Sequence, residues 1–316
     1  MRKSFLALAS VMLLAGAAFA QSQDIPQSDR DLIDFFRGLH GNTPADCPER
    51  FAVNRIAENS WHARAFSALR DPNASEAEKT LARKELGDVR DQILLGQSWP
   101  IKQHEECSIP YAKAKPVFDG SIDSPAWSGA LCFNNEFKLS STAEEKSGAV
   151  WKLMWDENYL YVSARLPDTA IVSNEYGKVK NKNPWDADCL EIFVMPSMRL
   201  KAYWEIVITP SNSVFDGLQR NNKTGGFSGN PEEDMDGLKN YAGIITSADG
   251  SHKAYIIQAA LPFKEMPNYM AGNKPEAGNT IYFTMVRTDD GAKKSLRPLL
   301  YDGHNIFGYL KATLVK

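Results

Sequence analysis

The chain has 316 residues, a formal net charge of −3, and 43% hydrophobic and 24% charged residues. That length allows one large domain or two ordinary ones, each able to bury a core. The slightly acidic balance supplies no basic field, which excludes nucleic acid as a partner.

The chain opens with Arg2 and Lys3, an apolar stretch from Phe5 to Phe19, and the small-residue site Ala18-Phe19-Ala20 before Gln21. This pattern is that of a secretory signal at residues 1–20, because the apolar run is short for a spanning helix. No later stretch is apolar enough to cross a bilayer. The expectation is a secreted or periplasmic protein, cleaved after Ala20, with no transmembrane segment. Export makes disulfides chemically available. Of the three pairings that Cys47, Cys107, Cys132 and Cys189 allow, Cys47–Cys107 with Cys132–Cys189 keeps each bridge inside one domain. Cys189 as a plain buried strand residue is an equal alternative, and no compact zinc spacing is present.

Residues 21–110 read as a helical N-terminal region after a loose leader. Leu32, Ile33, Phe35, Phe36 and Leu39 make one apolar stripe; Phe51, Val53, Ile56, Trp61, Ala65 and Leu69 make a second. Leu81, Leu86, Val89 and Ile93 make a third, entered through Ser75 and Glu78 in a capping-box spacing. A helical hairpin or small bundle follows from this spacing, and it is a candidate docking element for a protein partner.

From about Pro100 the period changes. Val150–Trp155, Tyr159–Leu166, Cys189–Met195, Ala202–Val207, Tyr241–Thr246, Tyr255–Leu261, Ile281–Arg287 and Phe307–Val315 alternate as strands, with turns such as Asp156-Glu157-Asn158 between them. Residues 112–316 are therefore expected to be mainly β, an antiparallel, jelly-roll-like β-sandwich. Asn221 to Gly237, rich in Gly, Asn and acids, reads as a loop.

Within this region Asn183-Pro184-Trp185-Asp186-Ala187-Asp188 leads into a strand carrying Glu191, and the next strand carries Glu205. A hairpin closing around Met198 would set the two glutamates directly opposite each other. Like charges so placed repel and require a cation, a shared proton or a polar ligand. Arg165 and Arg287, and after them Lys152, are the cations expected to reach these acids. Opposed strand carboxyls approach the spacing of a retaining glycosidase. Two glutamates side by side on one sheet face do not flank a bond in a cleft, however, so binding ranks above hydrolysis. No Gly-x-Ser-x-Gly elbow or His-Glu-x-x-His helix is present.

Several motifs together resemble the family 9 carbohydrate-binding modules attached to secreted xylanases. They are Pro116-Val117-Phe118-Asp119-Gly120 through Trp127, Leu153-Met154-Trp155-Asp156-Glu157-Asn158-Tyr159-Leu160-Tyr161-Val162, Asn183-Pro184-Trp185 with Asp188 and Glu191, Ala259-Ala260-Leu261-Pro262-Phe263, and Phe307-Gly308. The resemblance implies a saccharide or glycoconjugate ligand stacked between Trp185 and Tyr301, with Glu191 accepting hydroxyl protons and His304 on the same rim. It also implies structural calcium, for which Asp168, Asp186 and Asp188 are the candidate ligands. At Glu205 the xylanase-linked members carry an arginine, so this chain departs from the pattern there.

The leading expectation is an exported, non-catalytic carbohydrate-binding protein that supports polysaccharide breakdown. A sandwich that has lost the sugar and serves as an interaction module is the alternative, suggested by Glu205 and Gln258. A haem-binding electron-transfer domain is the third, with Met154, Met195, Met285 and His252 as possible ligands, although core filling suits methionine better.

Overall fold

The computed structural model describes residues 26–42, 65, 67–94, 105–172, 184–196, 202–221, 227–230, 233–250, 253–266, 269, 273–289, 291–299 and 302–316. The chain divides into two compact units, Met1–Lys102 and Gln103–Lys316.

In the first unit, helix α1 spans Gln27–Asn42 and helix α2 spans Glu76–Leu94. Leu32, Ile33, Ala82 and Leu86 are buried. Between the helices Arg83 grips the buried Asp29 carboxylate with two prongs, Nε donating to Oδ1 at 2.7 Å and Nη2 to Oδ2 at 3.0 Å. The capping box forms as the sequence predicts. The Ser75 amide donates to Glu78 Oε2 at 2.9 Å, and the Glu78 amide donates to Ser75 Oγ at 3.2 Å. Ala65 and Leu69 of the second apolar stripe are buried, and Phe51, Val53, Ile56, Trp61 and Cys47 lie outside the described residues. Among the described residues no helix is long and apolar enough to cross a membrane.

The second unit is a β-sandwich. Its strands are β1 (Glu106–Pro110), β2 (Leu131–Phe133), β3 (Glu136–Lys138), β4 (Glu144–Glu145), β5 (Val150–Trp155), β6 (Tyr159–Pro167), β7 (Cys189–Met195) and β8 (Ala202–Ile208). There follow β9 (Val214–Asn221), β10 (Phe227–Asn230), β11 (Lys239–Thr246), β12 (Lys253–Pro262), β13 (Thr280–Asp289), β14 (Ala292–Ser295) and β15 (Leu310–Val315). A ten-stranded sheet runs β10-β9-β8-β7-β13-β14-β3-β4, with β15 paired to β13 and to β1. A five-stranded sheet runs β11-β12-β6-β5-β2. Neighbours are antiparallel except β1 with β15, which run parallel.

Alternation builds the core. Leu190, Ile192 and Val194 of β7, Trp204, Ile206 and Ile208 of β8, and Phe283 and Met285 of β13 face inward. They meet Trp151, Leu153 and Trp155 of β5, Leu160, Val162 and Ala164 of β6, and Tyr255, Ile257 and Ala259 of β12. Apolar burial at roughly 25 cal/mol per Å² makes this layer the main source of stability.

Three local expectations are corrected. Part of the segment expected as a loop is strand, since Asn221 ends β9 and Phe227–Asn230 forms β10 beside it. Phe307 belongs to a short 3-10 turn, Ile306–Gly308, ahead of β15 rather than to the strand. The β7–β8 pairing register is shifted by two residues from the expected one, so Glu191 pairs with Val207 and Glu205 with Phe193. The two acids remain on one face because a two-residue slip keeps the side-chain parity, but they are diagonal neighbours rather than opposite.

Candidate functional site

The odd positions of β7 and β8 point away from the core and form the outer face of the ten-stranded sheet. Phe193 stands opposite Glu205, which stands opposite Gly217 of β9; Val286 of β13 stands opposite Glu191. Residues 302–309 cross over this face. Gly303 is required there, since a Cβ would fall 2.0 Å from Phe193 Cε2. The Tyr309 hydroxyl donates to the Gly303 carbonyl at 2.7 Å, and the His304 ring meets Phe193 edge-on with centroids 5.3 Å apart.

Both glutamates lie at the floor of this face, Glu191 3% and Glu205 5% exposed. Lys293 of β14 places Nζ 2.8 Å from Glu191 Oε1, and the Thr288 hydroxyl donates to the same oxygen at 3.0 Å. Burial alone would lower the Lys293 ammonium, but the Glu191 carboxylate outweighs it and the net shift is upward. Glu205 has a different environment. The Gln219 amide donates to its Oε2 at 2.8 Å, and His304 Nε2 lies 3.7 Å from its Oε1. The other imidazole nitrogen, Nδ1, shares a 2.7 Å hydrogen bond with the Tyr203 hydroxyl. Burial, and after it the Glu191 charge, pushes the Glu205 carboxyl up to about 7.

Trp185 lies on the 3-10 turn Pro184–Asp186 that feeds β7. It is half-buried and packs on the patch formed by Cys189, Val207 and Phe215. Its ring meets Phe215 edge-on at 5.3 Å. Because Val207 pairs with Glu191, the indole and the acidic pair share one sheet face. Tyr301 lies outside the described residues.

The expected cations are elsewhere. Arg165 is on the outer face of the other sheet, paired with Asp123 at 3.0 Å, and Lys152 donates to the Ile122 carbonyl at 2.9 Å beside it. Arg287 pairs in register with Leu190 and so has core-side parity. Its guanidinium, 1% exposed, lies 2.7 Å from Asp289 Oδ2, 3.5 Å from Glu136 Oε1 and 3.7 Å from Asp168 Oδ2. The expectation had the right need and the wrong partners: Lys293, Thr288, Gln219 and His304 serve the acids. Parity in register supplies the missing signal for Thr288 and Lys293, which face each other across the β13–β14 hairpin.

Of the three acids proposed for calcium, Asp168 and Asp188 come together, joined by Asp289 instead of Asp186; one oxygen of each lies within 4.8 Å of the others. Asp186 is exposed and outside that group. The donors are hard oxygens, Asp168 Oδ2 is buried without a hydrogen bond, and the set fits a calcium-sized cation sharing the carboxylates with Arg287. Asp188 Oδ2 also accepts the Val172 amide at 2.5 Å.

Cys107, Cys132 and Cys189 are free thiols, which corrects the expected Cys132–Cys189 bridge; Cys47, the expected partner of Cys107, lies outside the described residues. Cys132 is exposed on β2 of the five-stranded sheet and Cys189 is buried on β7 of the other. Burial pushes the Cys189 thiol upward. The haem candidates do not converge either. Met285 is in the main core and Met154 packs with Trp127 and Tyr161 on the opposite side of the five-stranded sheet. Met195 is on the outer parity of β7, and His252 lies outside the described residues. Gln258, offered as a sign of a lost sugar site, accepts the Gly120 amide at 3.0 Å on the other sheet, remote in the fold from the acidic pair.

The family model described as "Carbohydrate family 9 binding domain-like" matches residues 118–298, more than half of the chain. Endo-1,4-beta-xylanase A of Thermotoga maritima is 26% identical over 182 residues, covering 58% of this chain and 14% of that protein. Endo-1,4-beta-xylanase C of Paenibacillus barcinonensis is 25% identical over 186 residues, covering 59% and 14%. The chain thus spans a small part of the length of these relatives. Among solved structures, a candidate carbohydrate-binding protein from Bacteroides uniformis superposes with a TM-score of 0.53 at 11% identity, covering 67% of this chain and 100% of that one. A family 9 module from Caldicellulosiruptor kristjanssonii in complex with cellotriose gives a TM-score of 0.44 at 17% identity, covering 67% and 94%. By the extent of the family match, the chain belongs to the carbohydrate family 9 binding domain-like family.

Proposed function

We propose that the C-terminal sandwich binds a saccharide on the outer face of its ten-stranded sheet and performs no chemistry on it. The observation that carries this reading is the half-buried Trp185 seated on the same face as Glu191, which is held between Lys293 and Thr288. A sugar ring presents weakly apolar faces edged by hydroxyls. An indole covers the ring face while a carboxylate accepts and an ammonium donates along the edge. His304 lines the same face, and Tyr301 is the proposed opposite wall.

Cleavage is not expected. Glu191 and Glu205 stand side by side on neighbouring strands and are engaged by Lys293 and Gln219, whereas hydrolysis needs two carboxyls flanking one bond. The names of the relatives, xylanases and an exoglucanase, favour xylan or cellulose fragments as ligands. In this reading residues 1–20 direct export, the helical unit that ends at Lys102 offers a surface to a protein partner, and Asp168, Asp188 and Asp289 hold a structural calcium. Titration calorimetry with xylotriose and cellotriose tests the binding claim. Trp185→Ala is expected to weaken the bound sugar by about 1–3 kcal/mol, the value of the apolar contact removed. Unchanged affinity in that variant, or no binding of either sugar to the intact protein, overturns it.

A further inference from the structure

The two acids on this face are not compensated alike. Glu191 has an ammonium at 2.8 Å and a hydroxyl at 3.0 Å on one oxygen. Glu205 has one neutral amide donor on Oε2 and, at Oε1, only an imidazole nitrogen 3.7 Å away. That imidazole is already committed through its other nitrogen to the Tyr203 hydroxyl. The Asp302 carboxylate, whose Oδ1 accepts the His304 amide at 2.9 Å, adds negative charge from the overlying loop. The face therefore combines an apolar plate with a nearly buried carboxylate that, among the described residues, has no lysine or arginine within 4.0 Å, Lys293 being bonded to Glu191 and acting on Glu205 only at longer range.

We infer that Glu205 recognises a primary amine on the saccharide, so that this face takes sugars bearing a free amino group ahead of their neutral counterparts. The inference rests on the saccharide reading above and names its ligand class. A neutral hydroxyl can hydrogen-bond to Glu205 but does nothing to offset the repulsion from Glu191 that opposes its ionisation. An ammonium forms a charge-assisted bond, about twice as strong, and cancels that repulsion. An acetylated amine is neutral and supplies neither effect. The upward displacement of the Glu205 carboxyl, caused by burial and by Glu191, adds a signature. Binding of an ammonium ionises the carboxyl and releases a proton, which binding of a neutral sugar does not.

The test is titration calorimetry on the full chain, slightly below neutral pH and at low salt, with three probes: the glucosamine disaccharide, its N-acetylated form and cellobiose. The expected result is at least tenfold tighter binding of the free-amine disaccharide than of the other two. Its enthalpy should change with the ionisation heat of the buffer, while that of cellobiose should not. In Glu205→Gln the affinity ratio between amine and neutral sugar is expected to collapse towards one. Equal affinities for all three probes in the intact protein overturn the inference and leave saccharide binding in place. A tenfold preference that survives in Glu205→Gln overturns the assignment to Glu205. No binding of any probe, nor of xylotriose or cellotriose, overturns the saccharide reading itself.

Discussion

Replacing Glu205 by Gln isolates the cost of keeping a carboxylate at the floor of the outer face. The carboxyl moves from 4.5 to about 7 on folding because it leaves water and because Glu191 stands diagonally across the hairpin. Lys293 and the Gln219 amide oppose that rise, and Asp302 adds to it; His304 and Tyr203 complete its surroundings. The sign follows from proton counting. Between those two values the folded state holds more protons than the unfolded one, so stability falls as pH rises through the window. Above it the full penalty is present, about 3 kcal/mol at about 1.4 kcal/mol per tenfold change in ionisation. Gln keeps the size and an acceptor for Gln219 without the charge. Glu205→Gln should therefore stabilise the sandwich by up to about 3 kcal/mol near pH 8 and by little near pH 4.5. Urea unfolding followed by tryptophan fluorescence across that range measures the difference. A gain that does not vary with pH, or a loss near pH 8, would refute the reasoning.

Other expectations concern the rest of the fold. Arg287→Ala should cost about 3–5 kcal/mol, because it strips the positive charge from buried Glu136 and Asp168; thermal unfolding checks it, and a loss under about 1 kcal/mol would contradict it. Calcium should raise the melting temperature, and Asp168→Asn should abolish the gain, since Asp168 Oδ2 is the buried oxygen without a hydrogen bond. A thiol reagent should label exposed Cys132 in the native protein and buried Cys189 only after unfolding, as mass spectrometry of the peptides would show. Ser75→Ala should lower the stability of the helical unit by about 1 kcal/mol through loss of the capping box, read by circular dichroism.

How much of this was legible in the sequence depended on the length of each strand's pattern. β5, β6, β7, β8, β12 and β13 carry apolar residues at every second position for six residues or more, and the alternation placed them to within a residue or two. β2, β3, β4 and β14 have two to four residues each, too few for a period to emerge, and only their partners in the sheet hold them. In β9 the alternation is broken by Asp216 and Gly217, one accepting the Met235 amide at 2.6 Å and the other lying under Phe215. At the site, parity put Glu191, Glu205 and Phe193 on one face, which the sequence encodes. The hairpin register decides which residues are opposed, and it depends on loop length, to which alternation is blind. The same blindness explains Arg287, whose inward parity follows from pairing with Leu190. Lys293 became visible as the partner of Glu191 only once β14 was seen folded against Thr288.

Heteronuclear NMR of the indole groups tests the central claim most directly. The chain has seven tryptophans, of which Trp127, Trp151, Trp155 and Trp204 are sealed in the fold while Trp185 is half-buried on the outer face. Adding xylotriose, cellotriose or the glucosamine disaccharide should shift the Trp185 indole signal, identified by its loss in Trp185→Phe, and leave the four sealed indoles nearly still. A Trp185 signal that stays fixed while the protein binds sugar would place the ligand elsewhere and contradict the account.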